Sequence, residues 1–221
     1  MADVQSKSPI TVVNDTTGGV GVAWINANNA KVSDNTYATC QCGSGAGELS
    51  NYLKATDFGF NIPSGATIEG IKIQIENKWA NGSSNYGYIE SFNYNIIKGG
   101  LRSLTNLTTE ALWTSKTDVI TSYGGQTNLC GETWTVENIN ASDFGFAMAV
   151  QGYNGPFGTD PMAYVDQILI TVYYTAPPLP NIKARIDGAL KTYSDGQVRI
   201  DGVLRQVDSI WARIGGVLKK I

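Results

Sequence analysis

The residue type that most restricts the chemistry of this chain is one it lacks: its 221 residues contain no histidine. That removes Ser-His-Asp and Cys-His catalysis, imidazole metal ligation and the ordinary general base near neutral pH. The thiols are Cys40, Cys42 and Cys130. With no Cys-x-x-Cys spacing among them they suit neither a disulfide framework nor a zinc site, and they read as reduced thiols, the first two at a strand end. Asp57-Phe58-Gly59 and Asp143-Phe144-Gly145 spell the metal-binding triplet of protein kinases, but no His-Arg-Asp loop or Val-Ala-Ile-Lys strand accompanies them. They read instead as side-chain-bonded turns at Thr56-Asp57 and Ser142-Asp143 whose phenylalanines enter a core. Two carboxylates could hydrolyse a glycoside without histidine, yet Asp and Glu are scattered through predicted loops and no pair stands out. Trp79, Tyr86, Tyr88, Trp113 and Trp134 could offer sugars a surface; the tryptophans read as core. Gly43-Ser44-Gly45-Ala46-Gly47 lacks the lysine of a phosphate-binding loop and reads as a surface loop. The sequence thus predicts no enzyme, no metal and no cofactor.

The elements that must carry these residues are strands. With 42% apolar and 16% charged residues the chain can bury a core, and 25 glycines mark a chain that turns often. No apolar run approaches the roughly 18 residues of a membrane span, and residues 1–8 have no export-signal pattern, so synthesis and folding in a cytosol are expected. Tyr88–Ile96 places apolar residues mostly at even positions, predicting a strand with one wet face; Ile71–Ile75 alternates as cleanly, and Ile168–Tyr174 is apolar almost throughout, as in a central strand covered on both faces. Leu53–Phe60 recurs as Ile139–Phe146 at an offset of 86 residues, which suits two related halves of one sandwich. The expected fold is all-β, a jelly-roll-like two-sheet β-sandwich followed by a C-terminal β-hairpin tail: an N-terminal arm over 1–10, the body over 11–175, a proline-rich linker over 176–181 and the tail over 182–221. Charge changes sign across the linker, from 8 Lys+Arg against 15 Asp+Glu in residues 1–180 to 8 against 4 in 181–221.

The tail repeats itself. Ala184–Lys191, Val198–Arg205 and Ala212–Lys219 match by residue class at every position, with a spacing of 14 residues. Asp-Gly and Gly-Gly between β-branched residues call for two-residue hairpins, because both turn positions need positive φ. Such turns pair Ile186 with Ala189, Ile200 with Val203 and Ile214 with Val217, and set Arg185, Arg199 and Arg213 beside Leu190, Leu204 and Leu218 on the opposite face. Ribbons this short bury too little to offset about 1 to 2 kcal/mol of backbone entropy per ordered residue. They must dock on something, so Arg185, Ile186, Leu190, Arg199, Ile200, Val203, Leu204, Trp211, Arg213, Ile214, Val217 and Leu218 are the candidate oligomerisation and docking set. A nucleic-acid partner is not expected: the tail's net charge of +4 is modest, aspartates sit at its turns, and only Tyr193 and Trp211 could stack.

The repeats, ending in Ile210-Trp211-Ala212-Arg213-Ile214-Gly215-Gly216-Val217-Leu218-Lys219, resemble the Val-x-Val-Gly-Gly-x-Trp-Lys hairpin tails of tailed-bacteriophage virion proteins, with leucine in the tryptophan position. The body is similar to phage-encoded β-sandwiches in Trp24–Ala30, Ser33–Thr39, Asp57–Phe60, Ile62–Ile71, Tyr123-Gly124-Gly125 and Val165–Ile168. The resemblance implies a non-enzymatic virion component, a trimeric capsid decoration or cement protein with the major capsid protein and its own copies as partners. A tail-fibre or receptor- and glycan-binding module is the alternative it leaves.

Overall fold

The computed structural model describes residues 3–18, 21–42, 46–80, 87–109, 111–154 and 161–177, and six short strands beyond them. The chain divides into two compact units, Met1–Ala176 and Pro177–Ile221. The first contains strands β1 (Asp3–Lys7), β2 (Thr11–Asp15), β3 (Ala38–Gln41), β4 (Ala46–Leu49), β5 (Tyr52–Thr56), β6 (Thr67–Ala80), β7 (Tyr88–Lys98), β8 (Leu101–Arg102), β9 (Val119–Gly125), β10 (Gly145–Tyr153) and β11 (Met162–Thr175). One five-residue helix, α1 (Val136–Asn140), precedes β10 and is capped by Thr135, whose hydroxyl accepts from the Asn138 amide while the Asn138 side chain accepts from the Thr135 amide.

The strands form two antiparallel sheets. The first runs β1–β11–β6–β9 with β3 also against β11; the second runs β2–β5–β10–β7–β8 with β4 also against β10. Set aside β2, β3 and β4, and the chain crosses between sheets at every step except β7 to β8, which is the jelly-roll weave of two interlocked Greek keys. The core lies between the sheets. Ile71, Ile73 and Ile75 of β6 stand directly opposite Val172, Ile170 and Ile168 of β11, and all six are fully buried. From the other sheet Leu53, Tyr94, Ile96, Phe146, Met148 and Val150 meet them, equally shielded. Each such side chain contributes about 1.5 to 3 kcal/mol by leaving water.

Where periodicity misleads, a local irregularity explains it. In β7 the inward residues are Ile89 and Ser91 in the first half, then Tyr94 and Ile96 in the second, so Tyr88 and Phe92 do not join the buried face as simple alternation predicts. The register against β10 slips between Ala149 and Val150, opposite that change of phase; one extra residue turns every later side chain over. In β11, Leu169 and Tyr173 are only half-buried. Its apolar run reflects a strand paired on both edges, with β6 along one and β3 then β1 along the other, rather than one covered by layers on both faces. Residues Asp3–Lys7, expected in an arm, pair one for one with Tyr174–Ile170 as an edge strand. Part of the predicted glycine-rich loop is likewise strand, since β4 begins at Ala46.

The Leu53–Phe60 and Ile139–Phe146 copies do not share a local conformation. Leu53–Thr56 is strand, whereas Ile139 and Asn140 end α1. Asp57 and Gly59 hold φ of +58° and +63°, while Gly145 opens β10. What the copies share is burial of Phe58, Phe60, Phe144 and Phe146, and they meet: the Asp57 amide donates to the Ser142 carbonyl at 2.8 Å, and Gly145 pairs with Thr56. Backbone bonds hold these segments, including Phe144 N–H to the Ala141 carbonyl at 3.1 Å.

Candidate functional site

In the tail, β12 (Ile182–Ile186) pairs with β13 (Ala189–Tyr193), β14 (Gln197–Ile200) with β15 (Val203–Gln206), and β16 (Trp211–Ile214) with β17 (Val217–Lys220), each pair an antiparallel two-stranded sheet of its own. The registers are Ile186 to Ala189, Ile200 to Val203 and Ile214 to Val217, followed by Arg185 to Leu190, Arg199 to Leu204 and Arg213 to Leu218; Trp211 stands opposite Lys220. Two residues therefore separate the strands of each pair. The predicted turn residues Asp187-Gly188, Asp201-Gly202 and Gly215-Gly216 lie outside the described residues, as do Tyr86, Gly43, Ser44, Gly45 and linker positions 178–181.

The body carries a feature that sequence spacing does not reveal. On the outer face of the second sheet is an open cleft of about 620 Å³, floored by Tyr52 and Lys54 of β5 and Asn93 and Asn95 of β7, with Asp15 of β2 and residues 100–104 as its walls. These positions alternate with the inward Leu53, Ala55 and Tyr94, so burying one set presents the other. Asp15 Oδ1 accepts from the Thr17 amide at 2.9 Å and the Thr17 hydroxyl at 2.7 Å, and Lys54 Nζ lies 3.8 Å from Oδ2. Burial works to raise the pKa of this carboxyl, but the Thr17 bonds with Lys54 and Arg102 outweigh it and hold the group below its ordinary value.

Arg102 is the cleft's most constrained group. Its guanidinium carbon sits 3.6 Å from the centre of the Tyr52 ring, and the Tyr52 hydroxyl accepts from Asn93 Nδ2 at 2.9 Å. Gly18 approaches it closely: a Cβ there would lie 2.5 Å from Arg102 Nη2, and its φ is +126°. Asn95 Nδ2 pins the segment after β8 through the Ser103 and Thr105 carbonyls, both at 3.1 Å. Arg102 Nη1 is shut from solvent and has no hydrogen-bond partner among the described residues. A cation fixed in this way can hold an anion by charge-assisted hydrogen bonds. The one signal for it in the sequence is that Arg102 is the sole arginine of residues 1–180.

The remaining polar groups tie the body together. Asp166, 1% exposed, accepts from the Asp34 and Asn35 amides at 3.2 and 3.0 Å where β11 slips register against β6, and so anchors the loop before β3. The Tyr37 hydroxyl accepts from Lys78 at 2.6 Å and donates to Asp118 at 2.9 Å, a half-buried surface tie worth about 0 to 1 kcal/mol. Trp24, Trp79 and Trp113 are core, and Trp134 packs at its edge. All three cysteines are free and buried, with the Cys40 and Cys42 sulfurs 2.8 Å apart. The bond to Cys42, then burial, raises the Cys40 thiol; burial pushes Cys130 up to about 11. Alkylation by iodoacetamide at about pH 8 should therefore run about a hundredfold slower in the native protein than in denaturant, where all three thiols react. Labelling of any one at its denatured rate would contradict this assignment.

Among known proteins, no family model matches the chain and no curated protein matches it. A solved structure described as that of infectious bursal disease virus Gt strain is similar at 8% identity and a TM-score of 0.33, over 78% of this chain and 33% of that one. The chain spans about one third of the length of that protein.

Proposed function

We propose that this chain is a non-enzymatic structural component of a virion, a homotrimeric decoration protein that reinforces a phage capsid. The observation that carries the reading is the tail: three separate two-stranded sheets whose strands are four or five residues long. A lone hairpin of this size is marginal in water, and a protein that repeats it three times is built to complete it with other copies. Three chains around one axis would bury the Ile-Ala and Ile-Val register pairs among themselves. Nine hairpins then meet the major capsid protein at once, so weak single contacts become lasting occupancy. The jelly-roll body agrees, since that weave recurs in capsid domains, and the basic tail beside an acidic body favours contacts between neighbours.

Added to undecorated heads, the protein should raise their disruption temperature, because a ligand that binds only the intact shell stabilises it by mass action. An unchanged disruption temperature at saturating protein would refute the decoration role. The cleft favours a second reading, a receptor- or glycan-binding tail fibre, which retention on host cells without affinity for empty heads would select.

A further inference from the structure

We infer that the cleft over β5, β7 and β8 is a binding site for a carboxylate-bearing sugar, with Arg102 as the group that pairs with the carboxylate. The inference does not depend on assembly, since every residue it uses lies in the first unit. In a stretch where acidic residues outnumber basic ones 15 to 8, the only arginine lines this cleft. Its position is held by stacking on Tyr52 and by the close approach of Gly18, so little freedom remains to be lost on binding. Nη1 is out of a ligand's reach, so the pairing falls to the part of the guanidinium that lines the cleft, where arginine offers a carboxylate donors held in one plane.

The rest of the cleft narrows the anion. Asp15, held ionised by Thr17 and its neighbouring cations, repels a doubly charged phosphate more strongly than a singly charged carboxylate, and it accepts hydroxyls well. Asn93, whose Nδ2 bonds Tyr52, leaves Oδ1 to accept from a hydroxyl, while Asn95, buried and bonded to Ser103 and Thr105, holds the wall in place. Leu101 and Leu104, 76% and 102% exposed at the rim, offer aliphatic surface to the C–H face of a sugar ring. A singly charged acid on a polyhydroxylated ring meets all three demands, and the volume is ordinary for a small-molecule site.

The test is a titration of the full chain, followed by amide chemical shifts and saturation transfer, with sialyllactose, a glucuronate-ended disaccharide, lactose and inorganic phosphate. Either acidic sugar should bind and perturb amides around Gly18 and Arg102, with lactose and phosphate at least about tenfold weaker. Which acid binds tells a sialic from a uronic acid ligand. R102Q should weaken the acidic sugar by about tenfold or more. R102K, which keeps the charge but not the fork, guards against a folding defect and should weaken it comparably. The inference fails if neither acid binds at about 10 mM, if lactose or phosphate binds as tightly as the acids, or if both variants bind like the parent.

Discussion

A chain ending at Ala176 should keep the fold of its body and lose self-association altogether. In sedimentation the full-length protein is expected at three times its 23.7 kDa chain mass, the shortened one as a single chain. The body has what it needs without the tail. Its last strand, β11, is paired along its full length, with Thr175 still opposite Thr67 and its hydroxyl donating to Glu69 at 3.0 Å; Ala176 packs at the edge of the core. Among the described residues, no strand of either sandwich sheet lies beyond that point. Thermal unfolding should therefore shift by only a few degrees, corresponding to less than about 1 kcal/mol in a domain of this size. The tail has the opposite standing: each of its sheets has two strands, and neither strand exceeds five residues. If the shortened chain sediments as the full one does, association belongs to the body, and the open edges at β9 and β2 become the surfaces to examine.

The parts legible in the sequence were those set by short-range periodicity and turn chemistry. Ile71, Ile73 and Ile75 announced their strand because every second residue had to leave water, and the tail registers followed from Asp-Gly and Gly-Gly alone, since a two-residue connection admits one pairing. What escaped depends on distant partners. The slip in β7 is imposed across the sheet by β10, and nothing between Tyr88 and Ile96 encodes it. Asp3–Lys7 reads as a polar arm because an edge strand open to water on one face needs few apolar residues; its pairing is with residues about 170 positions away. The Asp-Phe-Gly-Phe echo is real as chemistry and misleading as geometry, since four phenylalanines were needed in one core but their backbones arrive from a strand on one side and a helix on the other. The cleft was invisible for the same reason: Asp15, Tyr52, Lys54, Asn93 and Arg102 share no spacing, and only the order β2–β5–β10–β7–β8 of the second sheet brings them together.

Phe144→Ala should be the most damaging single substitution of a side chain in the body, lowering its melting temperature by about 10 °C. Phe144 is fully buried and lies at the centre of an aromatic cluster. The Trp134 ring centre is 5.3 Å away at 86°, Phe60 5.8 Å at 67° and Phe58 6.3 Å at 60°. Truncating a buried phenylalanine costs about 3 to 5 kcal/mol through lost transfer energy and the cavity left behind. Each edge-on aromatic pair carries a further share, about 0.5 to 1.5 kcal/mol beyond burial. In a domain of 150 to 250 residues each kcal/mol moves the midpoint by about 2 to 4 °C. Collapse of the neighbours into the void is restricted, because Asp57 and Gly59 hold left-handed backbone on one side and the Asp57–Ser142 bond fixes the two segments to each other. Leu104→Ala, at a fully exposed side chain, serves as the comparison and should stay within about 0.5 kcal/mol of the parent. A Phe144→Ala protein that melts within about 2 °C of the parent would mean that the Asp-Phe-Gly segments are not what closes this end of the sandwich.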